Sequence, residues 1–392
     1  MKPIVLLLAL VLAAINLRPG ITSLAPLIER IAAELALSRS LISLSTALPV
    51  LCMGLLAPVA PRLALGLGLE RTIALCMGLI TLALLLRLAG RVDAILIASA
   101  VLLGAAIAIA GPLLSGFIKR HFVGQMGRVV GWYSLGMAIG GAGGAVLTAP
   151  ASQLLGDSWT HGLAVWALPA LLGLLLWWRL PNQRESVDTK EARIGLPWRQ
   201  PRAWLISCFF AIQAGLFYAL ATWVVARYHE AGLTLLHSNT LFSLSMLMGL
   251  PSSFLLPWLA QRFDNRYLLL MACGLVSATS LAMITFLPTF MPELWALSIG
   301  FGLGGSFALS LVLPLYEAGS PLAVSRWTAM MLCMGYGMAS LTPILTGLAR
   351  DLAGHYQLPF VVLTSLAVLM TLLAWRLSVE PRRRVSSSRS LD

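Results

Sequence analysis

Arg18 is the first residue in this 392-residue chain that asks for a chemical explanation. It lies in Asn16-Leu17-Arg18-Pro19-Gly20, between an almost wholly aliphatic run at residues 4–15 and a second apolar run from Ile21 to Ile28. A cation at such a depth is costly in hydrocarbon, so it is expected to face protein or a water-filled cavity and to mark a functional site. A guanidinium presents a planar fork of donors that suits carboxylates, nitro groups and other small planar anions. Pro19 has no N–H for the Ile15 carbonyl and Gly20 loosens the backbone, so a helix through this stretch is expected to bend beside the charge. Thr22 is one turn away and shares the arginine's face. Asn16 points about 200° away on an ideal helix and is expected to act as a packing amide instead.

The other side chains able to meet a small polar solute carry no charge. Gln213, Tyr218 and Trp223 offer an amide, a hydroxyl and an indole from one apolar segment, and Trp223 lies nearer its outer end. Tyr133, beside Trp132 and Ser134, and Tyr336 are further candidates. The expected substrate-binding set is therefore Arg18, Thr22, Tyr133, Gln213, Tyr218, Trp223 and Tyr336, with no catalytic residue, metal ligand or cofactor. Cys52, Cys76, Cys208, Cys273 and Cys333 stand singly in apolar runs, without metal-ligand spacing, and read as small core residues.

None of the fifteen acids falls in the middle of an apolar run, and the five histidines also lie near run ends or in loops. A proton relay at depth needs a carboxylate or imidazole there, so the counter-charge of Arg18 is expected to be the solute itself. An enzyme would need convergent acid, base or nucleophilic groups at depth, and a receptor would need a sizeable soluble domain. The sequence offers neither.

The elements that must position these groups follow from composition. Hydrophobic residues make up 59% of the chain, charged residues 11%, and the mean hydropathy is +0.88, values that indicate a polytopic membrane protein. Apolar runs predict twelve spans, near residues 3–29, 40–61, 72–90, 93–117, 128–151, 160–180, 203–226, 237–259, 267–288, 292–315, 327–348 and 358–378. The first is expected to be a retained helix and not a cleaved signal, because it is long enough to span and many more follow. The expected units are a six-helix bundle at 1–180, a cytoplasmic linker at 181–202, a second six-helix bundle at 203–380 and a basic tail at 381–392.

Placing both termini in the cytoplasm puts 20 of the 27 Lys and Arg residues on the inside and six on the outside, leaving Arg18 alone in mid-membrane. This positive-inside bias sets the orientation, and the net charge of +12 is a topology signal with no nucleic-acid partner implied. The expected partners are a small-molecule substrate and the lipid bilayer, with the chain a monomer. The halves echo each other at an offset near 200: Arg62 and Arg262, Gly104 and Gly304, Gly136-Met137-Ala138 and Gly337-Met338-Ala339. Twelve spans with a half-length repeat imply two bundles rocking about a central site. The glycines at 136, 140, 141, 143 and 144 and at 300, 302, 304 and 305 read as faces for close helix contact. Trp177, Trp178 and Arg179 read as an inner-interface anchor.

Six motifs, N-L-R-P at 16–19, T-A-L-P at 46–49, F-I-K-R-H-F at 117–122, V-W-A-L-P-A at 165–170, P-R-A-W at 201–204 and G-L-G-G at 302–305, resemble the cyanate permease and 2-nitroimidazole transporter family of the major facilitator superfamily, nearest its cyanate permease branch. The resemblance implies an all-α bacterial inner-membrane carrier and makes Arg18 part of the family's N-L-R signature. Three features depart from the family pattern: Trp223 is followed by Val224-Val225 where Leu-Pro is usual, Leu332 replaces a common glutamine, and the loop after the second span lacks its aspartate. The expected cargo is a small planar anion or a nitro or carboxylate compound. The alternative is efflux of neutral nitroimidazole-like or other small organic molecules.

Overall fold

The computed structural model describes residues 3–27, 30–31, 34–35, 39–90, 92–182, 195–263 and 265–379, without the side chains of residues 25 and 39–47. The middle of the linker (183–194) and the basic tail (381–392) lie outside the described residues, as do Lys2, Glu29 and Arg91.

Twelve helical stretches among these residues are long and apolar enough to cross a membrane. We number them α1 (Pro3–Thr22), α2 (Leu48–Leu67, continuing a helix that starts at Arg39), α3 (Leu69–Ala89), α4 (Asp93–His121), α5 (Val123–Leu154) and α6 (Trp159–Trp178) in the first half. The second half holds α7 (Pro201–Glu230), α8 (Leu235–Phe263), α9 (Arg266–Phe286), α10 (Pro292–Glu317), α11 (Pro321–Ala353) and α12 (Gln357–Val379). Helix is the form that satisfies every backbone polar group within its own segment, which hydrocarbon requires. Polar side chains inside the spans follow the same rule. The hydroxyls of Thr81, Thr148 and Ser310 donate to carbonyls four residues back, at 2.8, 2.6 and 2.6 Å. Local caps set the ends: α11 starts where Ser320 Oγ accepts from Ala323 N with Pro321 at the first turn, and it stops at Gly354, whose φ of 78° suits glycine.

Several helices run past the predicted spans, α4 to His121 and α11 across Pro321–Ala353. Charged residues mark where hydrocarbon ends, whereas the helix itself continues beyond it. α1 is shorter than expected, giving way after Thr22 to a 3-10 turn at Ala25–Leu27.

The helices form two bundles, α1–α6 and α7–α12. Asn16 Nδ2 ties α1 to α6 through Pro169 O (3.0 Å) and also donates to Leu12 O (2.8 Å), the packing role expected of it. Trp177, expected at the lipid interface, is instead 1% exposed, donates to Ala9 O at 2.9 Å and packs on Phe117. Its neighbour Trp178 stays exposed under the Arg71 guanidinium. Arg87 is fully buried beneath the end of α1, with Nη1 donating to Ser23 Oγ at 3.4 Å.

The repeat seen in sequence is also a repeat of contacts. A Cβ on Gly104 of α4 would lie 2.6 Å from Pro49 Cα of α2, and one on Gly304 of α10 would lie 2.7 Å from Gly249 Cα of α8. Both members of the pair are displaced by 200 residues.

The bundles join at the basic end of the molecule. Lys119 Nζ of α4 donates to Leu315 O of α10 (2.7 Å). Gln261 of α8 donates to Gly124 O (2.9 Å) and accepts from Arg128 N (2.8 Å) of α5. At the opposite end the bonds of Arg30 with Glu34 and Asp157, of Arg227 with Glu230 and Thr285, and of His237 with Glu293 each stay within one bundle.

Candidate functional site

The site begins with a broken helix. α1 is helical over Pro3–Asn16, turns at Leu17 and Arg18, and resumes over Pro19–Thr22. Leu17 N reaches back to Ala14 O at 3.2 Å, and Arg18 takes φ −114° and ψ −39°. The cause is covalent: Pro19 cannot donate to Ile15 O, so the hydrogen-bond ladder stops beside the guanidinium.

α5 receives this break on a glycine face. A Cβ at Gly136 would meet Ala14 Cβ at 3.1 Å, one at Gly140 would collide with the freed Ile15 carbonyl, and one at Gly144 would lie 2.9 Å from Pro19 Cα. Spacing by four residues puts all three on one face, where the backbones approach closely.

Arg18 lines a cavity between the bundles. Its polar lining is Arg18, Tyr133, Thr328 and Tyr336; Met53, Ile107, Phe307, Leu311 and Leu332 supply much of the apolar wall. The guanidinium carbon sits 5.8 Å from the centre of the Phe307 ring, in cation–π range. Tyr336, Tyr218 and Tyr133 surround the charge, with the Tyr218 hydroxyl close enough to hydrogen-bond. Among the described residues no carboxylate pairs with Arg18. The arrangement is a positive centre ringed by phenols in apolar walls, and it can hold an anion or a nitro group by directed hydrogen bonds.

Of the seven residues singled out in sequence, Arg18, Tyr133, Tyr218 and Tyr336 come together here. The other three have local work. Thr22 Oγ1 donates to Arg18 O at 3.3 Å and packs on Gly144. Gln213 is 1% exposed, and its Nε2 donates to Leu303 O of α10 at 3.0 Å. Trp223 donates to Pro343 O of α11 at 2.8 Å and covers Gly347.

Sequence reasoning missed Phe307 and Thr328. Phe307 is one of 13 phenylalanines in a chain where aromatics at helical spacing usually pack in cores. Thr328 lies near the start of a long helix rich in hydroxyl residues. A second cavity lies inside the second bundle, lined by Phe217, Leu220, Phe242 and Met246 with Ser245, and it holds no charged group. Of these two cavities, the one with a charged group is that of Arg18.

Known proteins match this chain along most of its length. The family model described as Major Facilitator Superfamily matches residues 6–335. The cyanate transport protein CynX of Escherichia coli (strain K12) is 33% identical over 355 residues, covering 90% of this chain and 91% of that protein. The 2-nitroimidazole transporter of Escherichia coli (strain K12) is 27% identical over 372 residues, covering 94% of each. Among solved structures, FucP in the outward conformation superposes with a TM-score of 0.78 at 14% identity, covering 97% of this chain and 99% of that one. The human organic anion transporter MFSD10 does so at 0.76 and 14%, covering 95% and 100%.

Proposed function

The chain belongs to the Major Facilitator Superfamily, and we propose that it carries a small planar anion, or a small nitro or carboxylate compound, across a bacterial inner membrane by alternating access. The observation that carries this reading is Arg18, a guanidinium without a carboxylate partner among the described residues, in a cavity between two bundles. A bound anion completes the pairing that the protein leaves open, and the low dielectric of the site strengthens it. The 33% identity to a cyanate transport protein points to cyanate-like cargo.

The basic end is the cytoplasmic end, by the distribution of Lys and Arg, and both termini lie there. Residues 1–180 and 203–380 act as the two rocking bodies, joined by the cytoplasmic linker 181–202, in a monomer. With the bundles joined at the basic end, the described arrangement is the outward-facing one.

A second reading, efflux of nitroimidazole-like compounds, is favoured by the same fork. A nitro group presents two coplanar oxygens at carboxylate spacing, and a relative at 27% identity is a 2-nitroimidazole transporter.

The test is uptake into proteoliposomes of labelled cyanate, nitrate, acetate and 2-nitroimidazole by wild type, Arg18→Lys and Arg18→Ala. A lysine keeps the charge and loses the fork, so Arg18→Lys is expected to weaken the preferred solute about tenfold and Arg18→Ala to abolish uptake. Wild-type affinity in a correctly folded Arg18→Ala protein would falsify the anchor role.

A further inference from the structure

The Arg18 cavity contains a polar group that the protein itself does not satisfy. Thr328 is 1% exposed, its Oγ1 has no hydrogen-bond partner, and its side chain lines the same cavity as Arg18. Threonines elsewhere in these helices send the hydroxyl back to the carbonyl four residues before: Thr285 to Leu281, Thr342 to Met338 and Thr346 to Thr342, each at 2.7 to 2.8 Å. Thr328 forgoes that bond with Val324, although it is the local default for a helical hydroxyl. A buried hydroxyl without a partner is destabilising, and valine would fill the same space without that cost.

We infer that the Thr328 hydroxyl is a second solute-binding group, donating to an acceptor at the end of the solute remote from Arg18. This rests on the reading of Arg18 as the anchor. Thr328 precedes Tyr336 by eight residues, about 12 Å along α11 toward the basic end. The solute lies between the two donors, against Ile107, Leu311 and Leu332. Ile107, Leu311 and Leu332 offer no polar group, so an acceptor turned toward them is desolvated without replacement, and the cavity's other polar groups are the hydroxyls of Tyr133 and Tyr336. Two donors facing along one axis select for a solute with acceptors at both ends, such as a linear anion, over one whose far end is a methyl group.

The discriminating probes are cyanate, with acceptors at both ends, and acetate, with both oxygens at one end. Apparent KM and Vmax for each are measured in proteoliposomes for wild type, Thr328→Val, Thr328→Ser and Arg18→Ala, with the thermal midpoint of every variant in detergent. Wild type is expected to prefer cyanate. Thr328→Val is expected to raise its KM for cyanate about tenfold, from loss of a hydrogen bond to a charged acceptor, to change the KM for acetate less than threefold and to keep Vmax and the thermal midpoint. Thr328→Ser, which retains the hydroxyl, is expected to restore cyanate affinity.

A wild type indifferent between the probes, an equal loss for both in Thr328→Val, or an unchanged cyanate KM in a stable Thr328→Val overturns the inference. If Thr328→Val destabilises the protein, failure of Thr328→Ser to restore cyanate affinity does the same. Loss of uptake in Arg18→Ala with an unaffected Thr328→Val removes this inference and leaves the anchor standing. Wild-type uptake by Arg18→Ala removes both.

Discussion

The carbonyl oxygen of Ile15 is seated against the bare Cα of Gly140, in the space a methyl group would need. Pro19 frees that carbonyl from the helix ladder, and Gly140 lets α5 come close enough to cover it. The bend that presents Arg18 is thus held from both sides, by a missing donor in α1 and a missing side chain in α5. Gly140→Ala forces α1 and α5 apart at the bend. It is expected to cost about 1–3 kcal/mol, the range for overpacking a close contact, and to impair transport more than stability because Arg18 moves with the break. Gly337→Ala is the control, since a Cβ there meets nothing within 4 Å. Thermal unfolding in detergent with transport rates in the same preparations checks both. Equal behaviour of the two variants would show that the contact does not matter.

The tyrosines around Arg18 can be tested hydroxyl by hydroxyl. Tyr218 reaches the guanidinium, while Tyr336 lines the cavity and meets Phe210 edge to face at 5.9 Å. Tyr218→Phe and Tyr336→Phe keep the rings and their packing. Each is expected to raise the apparent KM of the preferred solute by roughly three- to tenfold, the worth of one hydrogen bond, with little change in thermal midpoint. Trp223→Phe, which loses the bond to Pro343 O and part of the ring that covers Gly347, both away from the Arg18 cavity, is expected to leave KM unchanged. A large KM effect from Trp223→Phe alone would put the solute outside the Arg18 cavity.

Lys119 is the strongest candidate for a latch between the bundles. Its ammonium donates to Leu315 O near the C-terminal end of α10, where the helix dipole favours a cation. Lys119→Met removes one of the three inter-bundle bonds described at that end, the other two being made by Gln261, and is expected to favour separation of the basic ends. A bias of about 1–2 kcal/mol, typical for a charged hydrogen bond with some exposure, shifts the two-state ratio about 5- to 30-fold. Spin labels at the exposed positions Gly124 and Phe263, in a background without the native cysteines, read the distance between α5 and α8 directly. An unchanged distance distribution would remove the latch.

How much was legible in the sequence depended on whether a residue's effect is covalent or collective. The break at Arg18 was readable because Pro19 imposes it on any helix, and the packing role of Asn16 followed from its angle around α1. The twelve spans were readable because hydrocarbon thickness sets their length. Which face a residue presents was much harder to read. α7 is apolar nearly all round, so no stripe says that Gln213 turns to Leu303 while Tyr218 turns to Arg18. Trp177 looked like an interface anchor because tryptophans often are, and the Ala9 carbonyl that buries it is 168 residues away. Thr328 left no mark at all, since an orphaned hydroxyl is defined by partners it lacks in three dimensions.

The second bundle is locked at its basic end by an ion pair whose energetics can be separated from transport. Arg202, at the start of α7, holds Glu317, at the end of α10, through Nε to Oε2 at 2.6 Å and Nη2 to Oε1 at 3.1 Å. Tyr267 of α9 donates to the same carboxylate, and Arg202 also reaches Leu377 O of α12 at 3.2 Å. Four helices thus meet at one pair whose side chains are 14% and 6% exposed. The first bundle solves the same problem with the charges exchanged: there the carboxylate is Glu70 at the start of α3, and Arg120 at the end of α4 pairs with it at 2.8 Å. Removing one partner of a buried pair leaves a charge with reduced compensation, so Glu317→Ala is expected to cost about 2–4 kcal/mol. Replacing both by Glu317→Ala with Arg202→Met removes the stranded charge and is expected to recover at least half of that loss. Thermal unfolding of the two single variants and the double variant gives the coupling. If the losses simply add, the pair contributes no net interaction to the meeting of the four helices.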